Sequence, residues 1–128
     1  MKNITLVIMS CLFSIHGFSQ DNFNFNLVSN PSTGERGNDV WGYVDEAGTE
    51  YAIMGTQTTT RIWSLEDPAN PIERASIPGP AGTWRDIKSF EDHLYVTSDQ
   101  GDDGLLIIDM SQAPDSISSV YWKPTFEL

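Results

Sequence analysis

The sequence predicts an all-β protein, and three observations carry that prediction. Short runs rich in β-branched and aromatic residues alternate with clusters of Gly, Pro, Asn and Asp every several residues. No long stretch keeps apolar residues at helical spacing. The same order of runs occurs twice, about 45 residues apart, which is the length of one four-stranded propeller blade. The fold expected is therefore a partial β-propeller of about two four-stranded blades, with a small β sandwich as the alternative that meets the same pattern.

The N-terminus reads separately from the rest. Lys2 is followed by an apolar run from Ile4 to Ile15 and then by Gly17-Phe18-Ser19, with small residues at alternate positions. That is the form of a cleaved signal peptide over 1–19, because the apolar run falls well short of the roughly 20 residues that cross a bilayer as a helix. Cys11 lies inside the apolar run, which continues past it, so an ordinary place in the signal core is favoured over lipidation.

Cleavage near Ser19 removes Lys2 and the only cysteine and leaves six basic against 18 acidic residues, a formal charge of −12. The mature chain can form no disulfide, thiolate metal site or cysteine nucleophile. So negative a surface repels phosphates, which argues against nucleic acid as a partner. It also suits a secreted protein that must stay soluble.

Residues 20–38 are rich in Asn, Ser and Gly, and Phe23, Phe25 and Leu27 alternate with polar neighbours, so a short edge strand followed by a loop is expected there. The first β repeat spans 39–79. Asp39 to Val44 and Tyr51 to Gly55 flank the turn-forming Asp45-Glu-Ala-Gly-Thr-Glu50 and read as a hairpin. Arg61 to Leu65 and Ile72 to Ile77 complete four strands, with Pro68 and Pro71 between them, where a missing backbone N–H costs least.

The second repeat, 80–128, follows the same order. Its runs are Trp84 to Phe90, Leu94 to Ser98, Leu105 to Asp109 and Ile117 to Trp122, with Glu91-Asp-His93 as its first turn. Asp39 aligns with Asp86, Tyr51 with Tyr95, Ile62 with Ile107 and Ile72 with Ile117, at offsets between 44 and 47, and the spacing changes only across turns. Two blades do not close a ring, so the chain reads as the N-terminal part of a longer protein.

Four phrases together, Asn38-Asp-Val-Trp-Gly-Tyr43, Tyr51-Ala-Ile-Met-Gly55, Asp67-Pro-Ala-Asn-Pro71 and Trp84-Arg-Asp-Ile-Lys88, resemble the bacterial choice-of-anchor B family. Leu105-Leu-Ile-Ile-Asp109 is similar to the Leu-Val-Ile-Val-Asp repeat of related extracellular propellers. The resemblance implies an exported propeller-like domain whose relatives carry differing C-terminal anchoring or sorting tails. It brings no catalytic residues to transfer.

Asp39 and Asp86 begin the first strand of each unit, close to Trp41, Trp84 and Arg85, and these five are the ligand-binding candidates. Repeated carboxylates at a central opening suit acid–base work or cation binding, whereas the structural alternative has each Asp satisfying backbone N–H groups or pairing with Arg85. Asp99, Asp102 and Asp103 supply hard oxygen ligands suited to Ca²⁺. Their loop departs from an EF-hand, with Gly101 at its third position and Met110 at its twelfth. An acidic glycine-rich turn is the favoured reading.

His93, the one histidine of the mature chain, is expected in a solvated turn, and there is no Gly-x-Ser-x-Gly motif to accompany it. Trp41, Trp63, Trp84 and Trp122 are expected to pack in the core, with sugar stacking as the role of any that is exposed. The function expected is a secreted or cell-surface binding or scaffold module for an extracellular protein or glycan. The alternative is a glycan-acting hydrolase or lyase with its site at the propeller's central opening. N-terminal sequencing of the exported chain should read from about Gln20; a secreted product that retains Lys2 contradicts the signal assignment.

Overall fold

The computed structural model describes residues 24–125. The signal peptide, Cys11 and Phe23 lie outside the described residues. The strands are β1 (Gly37–Val44), β2 (Glu50–Thr56), β3 (Thr59–Ser64), β4 (Ile72–Pro78), β5 (Arg85–Phe90), β6 (His93–Ser98), β7 (Leu105–Gln112) and β8 (Ser116–Trp122). They form two antiparallel four-stranded sheets, each ordered as its strands occur in sequence, β1-β2-β3-β4 and β5-β6-β7-β8. The fold is all-β, and no helix of the described residues is long and apolar enough to cross a membrane.

The alternation seen in sequence decides which face each sheet buries, since strand side chains point alternately to either side. From the first sheet, Tyr43, Tyr51, Ile53 and Ile62 enter one core with Ile87, Leu94, Val96, Leu106, Ile108 and Met110 of the second. The two innermost strands, β1 and β5, lie side by side, and the outermost, β4 and β8, also touch. Tyr121 of β8 donates its hydroxyl to the Pro78 carbonyl at the end of β4, 3.0 Å away, which closes the outer margin.

The turns explain where the sheets differ. Between β1 and β2, the Asp45 carboxylate accepts the Thr49 N–H at 2.8 Å, and Gly48 takes the left-handed conformation the turn needs, φ 86°. Between β5 and β6 the turn shrinks to Glu91 and Asp92, with Glu91 itself left-handed at φ 50°. His93 consequently starts β6, opposite Phe90 and Asp109, and does not sit in the turn as expected.

Strand pairing also corrects one alignment between the two units. Asp39 faces Gly55 across β1–β2, and Asp86 faces Thr97 across β5–β6. Ile53 faces Ile62, and Tyr95 faces Ile107. Tyr95 thus corresponds to Ile53 and not to Tyr51, two residues away from the expectation. A slip of two leaves every side chain on the same face, which is why the apolar pattern alone did not expose it.

Of the segment 20–38, expected to hold a short edge strand and a loop, the described residues Asn24 to Arg36 are irregular. Ser29, Asn30 and Pro31 instead border, with Val40, Met54 and Trp63, a recess of about 290 Å³ on the first sheet's outer face, and Trp63 is only 5% exposed. Glu35 fixes this segment. Its carboxylate accepts the Thr56 hydroxyl at 2.9 Å, the Thr58 N–H at 2.9 Å and the Thr58 hydroxyl at 2.8 Å. The Thr58 hydroxyl, then that of Thr56 and the Thr58 amide, hold the Glu35 carboxyl below the usual carboxylate range.

The shared core sets a stability contrast. Ile87→Ala, at a fully buried site between the sheets, is expected to cost about 2–5 kcal/mol in urea unfolding. Val120→Ala, on the exposed face, should stay within about 0.5 kcal/mol.

Candidate ligand-binding surface

The residues singled out by sequence gather in two places. The first is the seam where β1 meets β5. Asp39 Oδ2 accepts the Ile87 N–H at 2.8 Å, and the Trp41 indole N–H donates to Ser89 Oγ at 3.0 Å. Lys88 Nζ stands 4.7 Å from the centre of the Trp41 ring and pairs with Asp86.

Four side chains therefore bind the seam together. Asp39 supplies an acceptor to an edge amide that no strand covers, since Ile87 turns its N–H away from β6.

Arg85 departs from expectation. It contacts neither Asp39 nor Asp86 but lies buried, 5% exposed, with three carbonyls as partners. Its Nε–H donates to Thr56 O at 2.8 Å, and its Nη2 donates to Pro80 O at 2.6 Å and Gln57 O at 3.3 Å. The reason is local: Arg85 points into the layer between the sheets, whereas Asp86, the next residue along the strand, must point out. Arg85 ties the β2–β3 turn to the β4–β5 connector.

The second place is the end of the sheets above that tie. Gln57, Thr58, Ala81, Gly82, Thr83 and Gln100 line a shallow recess of about 420 Å³. The Gly82 N–H donates to Gln57 O at 2.9 Å, which holds the connector against the β2–β3 turn. On the recess margin, Trp84 donates its backbone N–H to Asp99 Oδ1 at 3.1 Å, and Asp99 returns its own N–H to the Trp84 carbonyl at 3.2 Å. Its backbone is held on both sides while the side chain reaches solvent: Trp84 is 65% exposed.

Trp84 and Trp122 thus correct the expectation of core packing; β5 begins only after Trp84, and Trp122 lies on the free face of β8, 52% exposed. Trp63 and, in part, Trp41 are buried as expected. Asp99, Asp102 and Asp103 occupy the turn between β6 and β7, which Gly101 and Gly104 bend with φ of 84° and 88°. Among the described residues, no three His, Cys, Asp or Glu side chains converge as metal ligands do.

His93, Asp109 and Ser118 stand in a row across β6, β7 and β8. Their order is unsuited to nucleophilic catalysis, because the carboxylate separates the imidazole from the hydroxyl it would have to activate.

Sequence reasoning missed a third arrangement, at the opposite end. Tyr43, Asp45, Asp92, Met110 and Gln112 border a recess of about 370 Å³ between the sheets. The Tyr51 hydroxyl donates to Asp45 Oδ2 at 3.0 Å, and that of Tyr43 to Asp92 Oδ1 at 3.5 Å. Burial, then the Asp45 hydrogen bond and charge, push the Tyr51 phenol up to about 12. Partial burial raises the Asp45 carboxyl, but the hydrogen bonds from Thr49 and Tyr51 outweigh it and leave the carboxyl below its ordinary range. The cue in sequence was the pair of tyrosines flanking an acidic turn across the first hairpin.

No family model matches the chain, and neither does any curated protein or solved structure.

The Tyr51 phenol gives a pH prediction. Its folded-state pKa of about 12 lies above the unfolded value of about 10, so its contribution is complete below pH ~10 and is lost as pH rises towards ~12. Unfolding free energy should fall across that window, and Tyr51→Phe should flatten part of the fall. An unchanged slope in the variant counts against the Tyr51–Asp45 contact.

Proposed function

We propose that the chain is an exported, propeller-like binding or scaffold module of the kind the choice-of-anchor B resemblance implies, and that it recognises a glycan at the end bearing Trp84. The observation that carries this reading is the indole itself. An exposed Trp whose backbone is fixed by Asp99 offers a stacking face, and the recess that begins at its neighbour Thr83, with Gln57, Thr58 and Gln100 in its lining, supplies donors and acceptors. Neutral sugars need that combination of an apolar platform with nearby amides and hydroxyls. The acidic surface then acts against anionic competitors.

The hydrolase or lyase reading places its chemistry on Asp39 and Asp86. It is less well supported, because the Asp39 carboxylate is engaged by the Ile87 amide and that of Asp86 by Lys88. Export rests on the signal-peptide character of residues 1–19.

Screening the mature chain against a panel of neutral and acidic glycans tests the proposal. A neutral glycan should bind, and Trp84→Ala should weaken it by about tenfold or more, consistent with loss of a stacking contact of about 1.4 kcal/mol. Binding untouched by the substitution, or confined to a protein ligand, contradicts the glycan assignment.

A further inference from the structure

The recess that begins at Thr83 has a neighbour across the β2–β3 turn. Gln57, which lines it, also lines a larger hollow of about 640 Å³ on the other flank of that turn, bordered by Asn30 to Gly37 and by Met54. Gln57 and Thr58 are all that separates β2 from β3, so one two-residue ridge serves as a wall of both hollows.

The ridge is pinned from both flanks. On the side of the first hollow, the Gly82 N–H donates to Gln57 O and the Gly79 N–H to Thr58 O, each at 2.9 Å. On the other side, the Glu35 carboxylate accepts the Thr58 N–H at 2.9 Å and the Thr58 hydroxyl at 2.8 Å. The backbone of the turn is thus committed to the fold, while Gln57 itself stays exposed on top of it. A ligand long enough to cross the ridge meets both hollows with little reorganisation of the turn between them. The irregular segment before β1 gains a role here, as the far wall of a groove that Glu35 holds in place.

The groups along this track suit one chemistry. Asn30, Gln57 and Gln100 bring carboxamides, and Ser32 and Thr83 bring hydroxyls. Each carboxamide can donate and accept at once, which is what neighbouring sugar hydroxyls require. The larger hollow holds one carboxylate and one guanidinium. Glu35 is taken up by Thr56 and Thr58, and Arg36 has no ion-pair partner among the described residues, which leaves its N–H groups to meet neutral oxygens. A peptide is read through an open strand edge or a row of apolar pockets, whereas the walls here are polar turns and connectors.

We propose that the glycan site is an extended groove for a neutral oligosaccharide, in which one sugar stacks on Trp84, a later one lies over Gln57, and the chain continues into the hollow bordered by Asn30 and Arg36. This rests on the glycan reading above and specifies its ligand as a chain of several sugars.

The test titrates the mature chain with length-graded neutral glycans, from the single sugar to the hexasaccharide, of glucan, mannan, xylan, galactan and chitin types. Within the type that binds, affinity should rise about tenfold or more from the disaccharide to the hexasaccharide. Trp84→Ala should weaken every length. Asn30→Ala combined with Arg36→Ala should abolish the rise and leave disaccharide affinity within about twofold of the parent. Both side chains lie outside the core, so the doubly substituted chain should keep the parent's urea midpoint.

A hexasaccharide held no more tightly than the disaccharide overturns the groove and leaves a single-sugar site at Trp84 standing. A rise with length that survives the double substitution also overturns it, because the longer chain then runs elsewhere. Failure of every glycan type to bind overturns the groove and the glycan reading together.

Discussion

The structure depends on one constraint: each four-stranded sheet has an apolar face that it can bury only against the other. Ile53 and Ile62 on one side meet Ile87, Leu94, Val96 and Ile108 on the other, all essentially without exposure. An isolated sheet of this size would leave that face in water, and burial of such side chains is worth about 1.5–3 kcal/mol each. The Asp39–Ile87 bond fixes how the faces meet, because it joins the innermost strands at one defined position while satisfying an edge amide that would otherwise stand unpaired.

That constraint accounts for the fate of most of the residues that looked functional. A carboxylate that recurs near the start of each inner strand, with a tryptophan near each and an arginine beside the second, suggests a site, yet the same positions are where two sheets must be sewn together. Asp39, Trp41 and Arg85 perform that sewing. What remains available for recognition is what the seam does not consume: Trp84 on its Asp99 support, the amides and hydroxyls around it, and the acidic recess beneath Tyr43 at the other end.

Much of the fold was legible in the sequence, and the reason lies in the strand period. Alternation and turn residues place all eight strands to within a few residues, because a period of two and a Gly- or Pro-bearing turn are local properties. Three features were not local. The pairing of Tyr95 with the position of Ile53 differs from the expected one by two residues, a shift invisible to a pattern of period two. Phe25 and Leu27 alternate with polar neighbours as a strand would, yet the described chain there is irregular, and Glu35 straps the segment to the β2–β3 turn. Arg85 chose carbonyls over carboxylates because its side chain and that of Asp86 leave the strand on opposite faces. Of the candidate site, Trp84 was named from sequence; its exposure was not, because that depends on where β5 begins.

The two sheets are one cooperative body held through a common core and the β1–β5 seam. Native-state hydrogen exchange tests it most directly, by comparing the opening free energies of the β2–β3 and β6–β7 amides and of the Ile87 amide between them. A single shared value, with Ile87 protected to the same degree, is the predicted result. Two distinct values, with Ile87 exchanging as an unprotected edge amide, would show that the sheets open independently and that the seam does not join them.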